Sequence, residues 1–264
     1  MDALSELGRS TPWHLKRTMT VRGDVGHPQG ITRWGDRWLV TTVHPGRCSG
    51  EVLIVSADGD VEARQNVTDG DRFHPGGVSA DHAGCWVAVA EYRPRSTTTV
   101  LRLDTDLDAI DSFPFDDHLG AVCPLGDGTL FAVSWASRRW YRLDRTGRLL
   151  DQRTTPTRWV DIQDLQHLQD PRLLPDQQVI ATGVGELATP AGPLQLGGLA
   201  VIDVNEMVVV HDAPIAAWMP SGRAATYNAA HLDIDIDGAV SLNCLVDDTV
   251  GAIGTWTASE RSDR

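Results

Sequence analysis

One phrase, written twice in full and three more times in altered form, limits what this chain can fold into more than any other feature of the sequence. His27-Pro28-Gln29-Gly30-Ile31 returns as His74-Pro75-Gly76-Gly77-Val78 and, varied, as His118-Leu119-Gly120-Ala121-Val122. Each is followed by an apolar run: Trp38-Leu39-Val40, Trp86-Val87-Ala88-Val89, Leu130-Phe131-Ala132-Val133. Two weaker copies keep the order, Asp164-Leu165-Gln166-His167-Leu168 before Val179-Ile180-Ala181, and Asn228-Ala229-Ala230-His231-Leu232 before Val240-Ser241-Leu242. The copies start 47, 44, 46 and 64 residues apart, the last interval carrying an insertion.

A unit of this length built from short strands is one blade of a β-propeller. The first unit shows four of them: Gln29 to Arg33, Trp38 to His44, Glu51 to Ala57 and Val61 to Val67. The last two are joined at Asp58-Gly59-Asp60, where Asp-Gly tolerates the positive φ of a tight turn. Helical periodicity is nearly absent. Five phrases give an all-β, five-bladed β-propeller over residues 12–257. The last blade runs short of an outer strand, and the partly alternating segment Trp13 to Val21 can supply it, closing the ring from the amino terminus and removing two open sheet edges. Residues 1–11 and 258–264 read as flexible termini, and the extra residues around Leu187 to Pro193 as a long loop.

A net charge of −13 and a pI near 5.0 argue against nucleic acid or a membrane surface as partner, since both need clustered cations. Lys16 is the only lysine beside many arginines, a bias that fits a GC-rich bacterial genome. No signal-peptide plan and no long apolar span is visible, so a soluble, cytoplasmic protein is expected. Cys48, Cys85, Cys123 and Cys244 form no CxxC pair and are expected to be buried thiols. Gly197-Gly198 lacks the strand-to-helix setting of a phosphate loop, no nucleotide or flavin motif is present, and Asp233 to Gly238 reads as a strand entering a turn, not a calcium loop.

In a propeller the first strand of each blade lines the central channel, and equivalent positions face one another. His27, His74, His118, Asp164 and Asn228 should therefore form a polar collar at one mouth, with His167 and His231 three residues further on. Glu91 ends an apolar run at that mouth, where burial would suit it to proton transfer, although an ion pair with Arg93 or Arg95 is the equal alternative. Tyr92, Trp135, Trp159 and Trp218 offer aromatic walls, or pack between blades. His27, His74 and His118 are candidate ligands for one divalent metal ion; the alternative is metal-free acid and base work by Glu91, Asp164, His167 or His231. A structural role for any one His-Pro corner stays open as well.

The HPxGI phrases, together with Val89-Ala90-Glu91-Tyr92-Arg93-Pro94 and Ser134-Trp135-Ala136-Ser137-Arg138-Arg139, resemble a bacterial β-propeller family with such repeats, from about residue 20 to 250. That resemblance implies the fold and no particular activity. More distantly the chain is similar to strictosidine-synthase-like, gluconolactonase-like and streptogramin-lyase-like propellers, which place acid, base or metal groups at the channel mouth. The expectation is an enzyme acting on a small organic molecule there, as lyase, cyclase, isomerase or hydrolase, with Tyr92, Trp135, Trp159 and Asn228 contacting substrate. The alternative is a non-catalytic propeller that binds a ligand or a protein.

Overall fold

A computed structural model describes residues 3–155, 159–168, 170, 172–246 and 251–259. Twenty strands form five antiparallel four-stranded sheets, the blades. Blade 1 holds β2 (His27–Trp34), β3 (Arg37–His44), β4 (Ser49–Val55) and β5 (Val61–Asn66), and blade 2 holds β6 (Arg72–Asp81), β7 (Gly84–Glu91), β8 (Thr98–Leu103) and β9 (Ala109–Phe115). Blade 3 holds β10 (Leu119–Pro124), β11 (Leu130–Ser134), β12 (Arg139–Leu143) and β13 (Leu149–Thr154). In blade 4 they are β14 (Asp161–Gln166), β15 (Gln178–Thr189), β16 (Gly192–Asp203) and β17 (Val208–Ile215). Blade 5 runs β18 (Ala229–Ile234), β19 (Val240–Leu245), β20 (Ala252–Ala258) and, outermost, β1 (Trp13–Thr20) from the amino terminus. The expected ring closure is thus present, from Trp13 opposite Ala258 to Thr20 opposite Ala252.

The apolar runs are continuous because both faces of each blade are covered. Successive side chains of a strand point to opposite faces, so on β3 Trp38 and Val40 pack towards blade 5 while Leu39 packs towards blade 2. Five apolar clusters result, one in each gap between neighbouring blades. Cys85, Cys123 and Cys244 are buried in three of them, and burial pushes the Cys85 and Cys123 thiols up to about 12. Cys48 departs from the expectation: it is exposed, in the left-handed turn after Pro45–Arg47.

Two expectations about irregular chain need correction. The segment Leu187 to Pro193 is no loop but the far end of the β15–β16 hairpin, paired without interruption from Gln178–Asp203 to Thr189–Gly192. The Pro and Gly that suggested a loop sit beside the turn, where they are tolerated. Residues 3–11 are not simply frayed, because Leu4 and Leu7 are buried in the cluster between blades 4 and 5. Two leucines in a polar stretch carry too little periodicity to announce this. Residues 1, 2 and 260–264 lie outside the described residues. Among the described residues no helix is long and apolar enough to cross a membrane.

Candidate functional site

The inner strands β2, β6, β10, β14 and β18 do not leave an open channel. Near mid-height the axis is closed by backbone, which is why glycine recurs in the phrase. A Cβ on Gly30 would stand 2.7 Å from the Gly77 Cα, one on Gly76 would lie 1.9 Å from the Gly120 carbonyl oxygen, and one on Gly77 would lie 2.5 Å from the Gln163 oxygen. Asp164 completes the plug. Its carboxylate accepts backbone N–H bonds from Ile31 (3.1 Å), Val78 (3.1 Å) and Ala230 (2.9 Å), tying blades 1, 2 and 5 to blade 4. Burial pushes this carboxyl well above the ordinary range, against the pull of the three amide donors.

Asp164 is therefore a buried tie on the axis, not a member of the collar. Asp161 takes the collar place in blade 4: Asp161-Ile162-Gln163-Asp164-Leu165 runs parallel to His27-Pro28-Gln29-Gly30-Ile31, with Asp164 where blade 1 has Gly30. The plug also separates the expected site in two. His27, His74, His118 and Asn228 line a cavity at the mouth where the inner strands begin, while His167 and His231 line a different cavity at the opposite mouth. His231 there lies between Thr32 Oγ1 (Nδ1, 3.4 Å) and Asp233 Oδ1 (Nε2, 3.4 Å), and His167 Nε2 donates to the Asp176 carbonyl at 3.0 Å.

The first mouth is a cup of about 200 Å³. Tyr92 and Trp135 wall it and the glycines floor it; Ser134, Ala136 and Ile162 join the lining, with Gln29, Asp161, Gln163 and Tyr227, which the sequence reading did not single out. The one signal that could have found Asp161 and Gln163 is the parallel with His27 and Gln29. Ring packing is close: His74 lies 4.6 Å from Tyr92 and 5.5 Å from His118, and His118 lies 4.6 Å from Trp135.

Hydrogen bonds fix the tautomers. His118 Nδ1 is 2.8 Å from the Arg93 carbonyl, which can only accept, so Nδ1 carries the proton and Nε2 the lone pair. The Gln29 amide nitrogen donates to the Pro28 carbonyl (3.2 Å), turning Gln29 Oε1 towards His74 Nε2 (3.0 Å), which must donate. His74 Nδ1 is then a buried acceptor with no partner among the described residues. The Asn228 amide nitrogen donates to the Pro28 carbonyl (2.9 Å) and faces His27 Nε2 at 3.3 Å.

Burial lowers both central imidazoles. His74 falls to about 3 through desolvation and the neighbouring His118 and His27; His118 falls through desolvation, partly offset by its bond to the Arg93 carbonyl. Asp161 moves the other way, raised by burial against hydrogen bonds from Ser137 and Gln163. Ser137 Oγ is 3.1 Å from Asp161 Oδ1 and accepts the Ile162 N–H at 2.6 Å. It belongs to the 3₁₀ turn Trp135–Ser137, where Ala136 (φ 54°) and Ser137 (φ 51°) hold the left-handed backbone that side chains usually avoid.

The other candidates fall outside the cup. Glu91 sits at the end of β7 in an ion pair with Arg93 (2.5 Å) and does not line the cavity, so the alternative reading of that carboxylate holds. Trp159 packs between blades 3 and 4 and donates from Nε1 to Asp212 at 2.6 Å, and Trp218 lies by the Gln195 carbonyl. Among the described residues no three His, Cys, Asp or Glu side chains are grouped so as to hold a metal ion.

The fold and site define a five-bladed propeller, plugged on its axis, with a histidine- and amide-lined cup at one mouth. The chain belongs to the family described as a family of unknown function (DUF6454), whose profile matches residues 2–259. No curated protein matches the sequence. Among solved structures it is similar to a catalytically inactive virginiamycin B lyase from Staphylococcus aureus with quinupristin (9% identity, 94% of this chain, 100% of that one, TM-score 0.51). It is also similar to a luciferin-regenerating enzyme (10% identity, 92% and 80% covered, TM-score 0.50). It matches a hydrazine synthase chain of Kuenenia stuttgartiensis at 16% identity and TM-score 0.47, with 85% of this chain aligned to 57% of that one. At these identities the likeness is one of fold.

Proposed function

We propose that the cup is the active site of an enzyme that moves protons on a small organic molecule, in a lyase- or isomerase-type reaction, with His118 as base and Asp161 as acid. The observation that carries this reading is the pairing, in one small cup, of an imidazole whose tautomer is fixed and a carboxyl that burial biases towards its protonated form. In the eliminative version, His118 Nε2 takes a proton from a substrate C–H. The freed electron pair forms a double bond as an oxygen or nitrogen leaving group departs, and Asp161 gives that group its proton. Imidazolium and carboxylate are reset by proton exchange with water at the mouth. Tyr92 and Trp135 orient the molecule, and Asn228, Gln29 and Gln163 supply amide contacts. Lyase chemistry exists on a similarly folded protein, so the scaffold is compatible with it.

The test incubates the purified protein in D₂O with small lactones, esters and β-substituted carbonyl compounds and follows them by proton NMR. Conversion or deuterium incorporation is expected for one class. It should fall about a hundredfold or more in His118→Gln and in Asp161→Asn, as loss of a general acid or base does. Conversion that survives both substitutions in folded protein overturns the proposal. A ligand that binds in the cup and is returned unchanged, without exchange, would make the protein a binding propeller.

A further inference from the structure

On the reading that this cup is the site, we infer that it selects an uncharged, flat molecule bearing at least one O–H or N–H. The reason is what its wall lacks. Among the described residues none of the side chains lining it is Lys or Arg, and Asp161 is the one carboxylate; the rest are imidazoles, amides, hydroxyls, aromatic rings, glycines and the aliphatic Ala136 and Ile162. Among the described residues, three cations next in sequence to lining segments are committed elsewhere: Arg93 to Glu91, Arg138 to Asp117 (3.6 Å) and the Trp135 carbonyl (2.9 Å), and Arg223 to the Tyr227 ring (5.1 Å). An anion in this cavity would shed its hydration without a countercharge, and an ammonium or guanidinium would meet only a carboxyl that burial already biases towards neutrality; either transfer is costly.

Shape and hydrogen bonding narrow the class. The cup is smaller than the roughly 300 Å³ at which drug-sized pockets begin. Its walls include the Tyr92 and Trp135 rings, and the backbone plug closes its floor, so a thin molecule stacked on an aromatic face fits best. His118 turns an acceptor nitrogen to the ligand, since its other nitrogen is spent on the Arg93 carbonyl. His74 Nδ1 is a second acceptor still lacking a donor, in a ring 4.6 Å from that of Tyr92. A bare hydrocarbon leaves both acceptors unanswered, and leaving a buried polar group unpaired is what such sites discriminate against.

Three probes of one shape separate charge from size: benzamide, benzoate and benzamidine, titrated into the full chain and followed by saturation-transfer NMR and by the indole N–H signal of Trp135. Benzamide should bind at least tenfold more tightly than either ion, and Trp135→Ala should abolish the effect. If benzoate or benzamidine binds equally well, with the same dependence on Trp135, the charge argument fails and the site stands. If no probe binds, or binding ignores both Trp135→Ala and His118→Gln, the reading of the cup as a small-molecule site fails instead.

Discussion

The two titrating residues of the cup set a pH window between them. Burial lowers His118, so its basic form is lost only as pH falls below the ordinary histidine range; burial raises Asp161, so its acidic form persists above the ordinary carboxylate range. Activity needs the first deprotonated and the second protonated, so both shifts act to populate the active pair of protonation states. A pH–rate profile should lose its alkaline limb in Asp161→Asn and its acid limb in His118→Gln, read on residual activity. Asp164 has a different task. Replacing it with Ala strands three buried amide N–H groups, and at about 1 to 3 kcal/mol for each such loss the variant should be less stable by about 3 kcal/mol or more in urea titration. Asp164→Asn should cost less, since one amide oxygen can still serve two of the donors. The sequence showed a polar residue at the fourth phrase but assigned it the wrong place. Blade 4 lacks the His-Pro and the glycine that mark the register in blades 1 and 2, so its own residues do not distinguish Asp161 from Asp164 as the start of the phrase, and only their three-residue offset separates a lining residue from a tie on the axis.

Strands were easier to read than residues because each is specified many times over. A run such as Trp38 to Val43 is apolar on both faces, which only a strand sandwiched between two blades requires, and the repetition of that run fixes the number of sheets. Ring closure by β1 was legible from a deficit, one blade short of a strand and one strand without a blade. The β15–β16 hairpin was not, because beyond Gly185 its side chains are largely exposed and obey no burial pattern. At this scale the recurring glycine is a packing requirement. Gly77→Ala sets a methyl 2.5 Å from the Gln163 oxygen and 2.6 Å from Asp164 Oδ1, both in the plug. A loss of about 1 to 3 kcal/mol is expected, the usual cost of overpacking, which a thermal melt would record as a fall of several degrees. An unchanged melting temperature would mean that the axis is looser than these contacts describe.

The same plug decides what the whole molecule can do. Equivalent positions in a closed ring do face one another, as the repeat implies, but a strand advances about 3.3 Å per residue, so three residues cover about 10 Å along the axis. That distance suffices to carry His231 and His167 past the level of Gly30, Gly77 and Asp164 into the opposite mouth, which is why a collar inferred from sequence combined residues from two cavities. No sequence pattern records that the axis is blocked, because the block consists of missing side chains and one carboxylate turned on backbone amides. If the two mouths are sealed from each other, substitutions in one leave the other's chemistry alone. His167→Ala, at a half-buried position whose ring is bonded to the Asp176 carbonyl, should keep benzamide affinity and any turnover within about twofold of the unmodified protein, since couplings between distant sites that share no partners are usually small. His118→Gln should lose both. Titrating the two variants side by side checks this: equal losses would require a path through the axis, and with it a different account of Asp164.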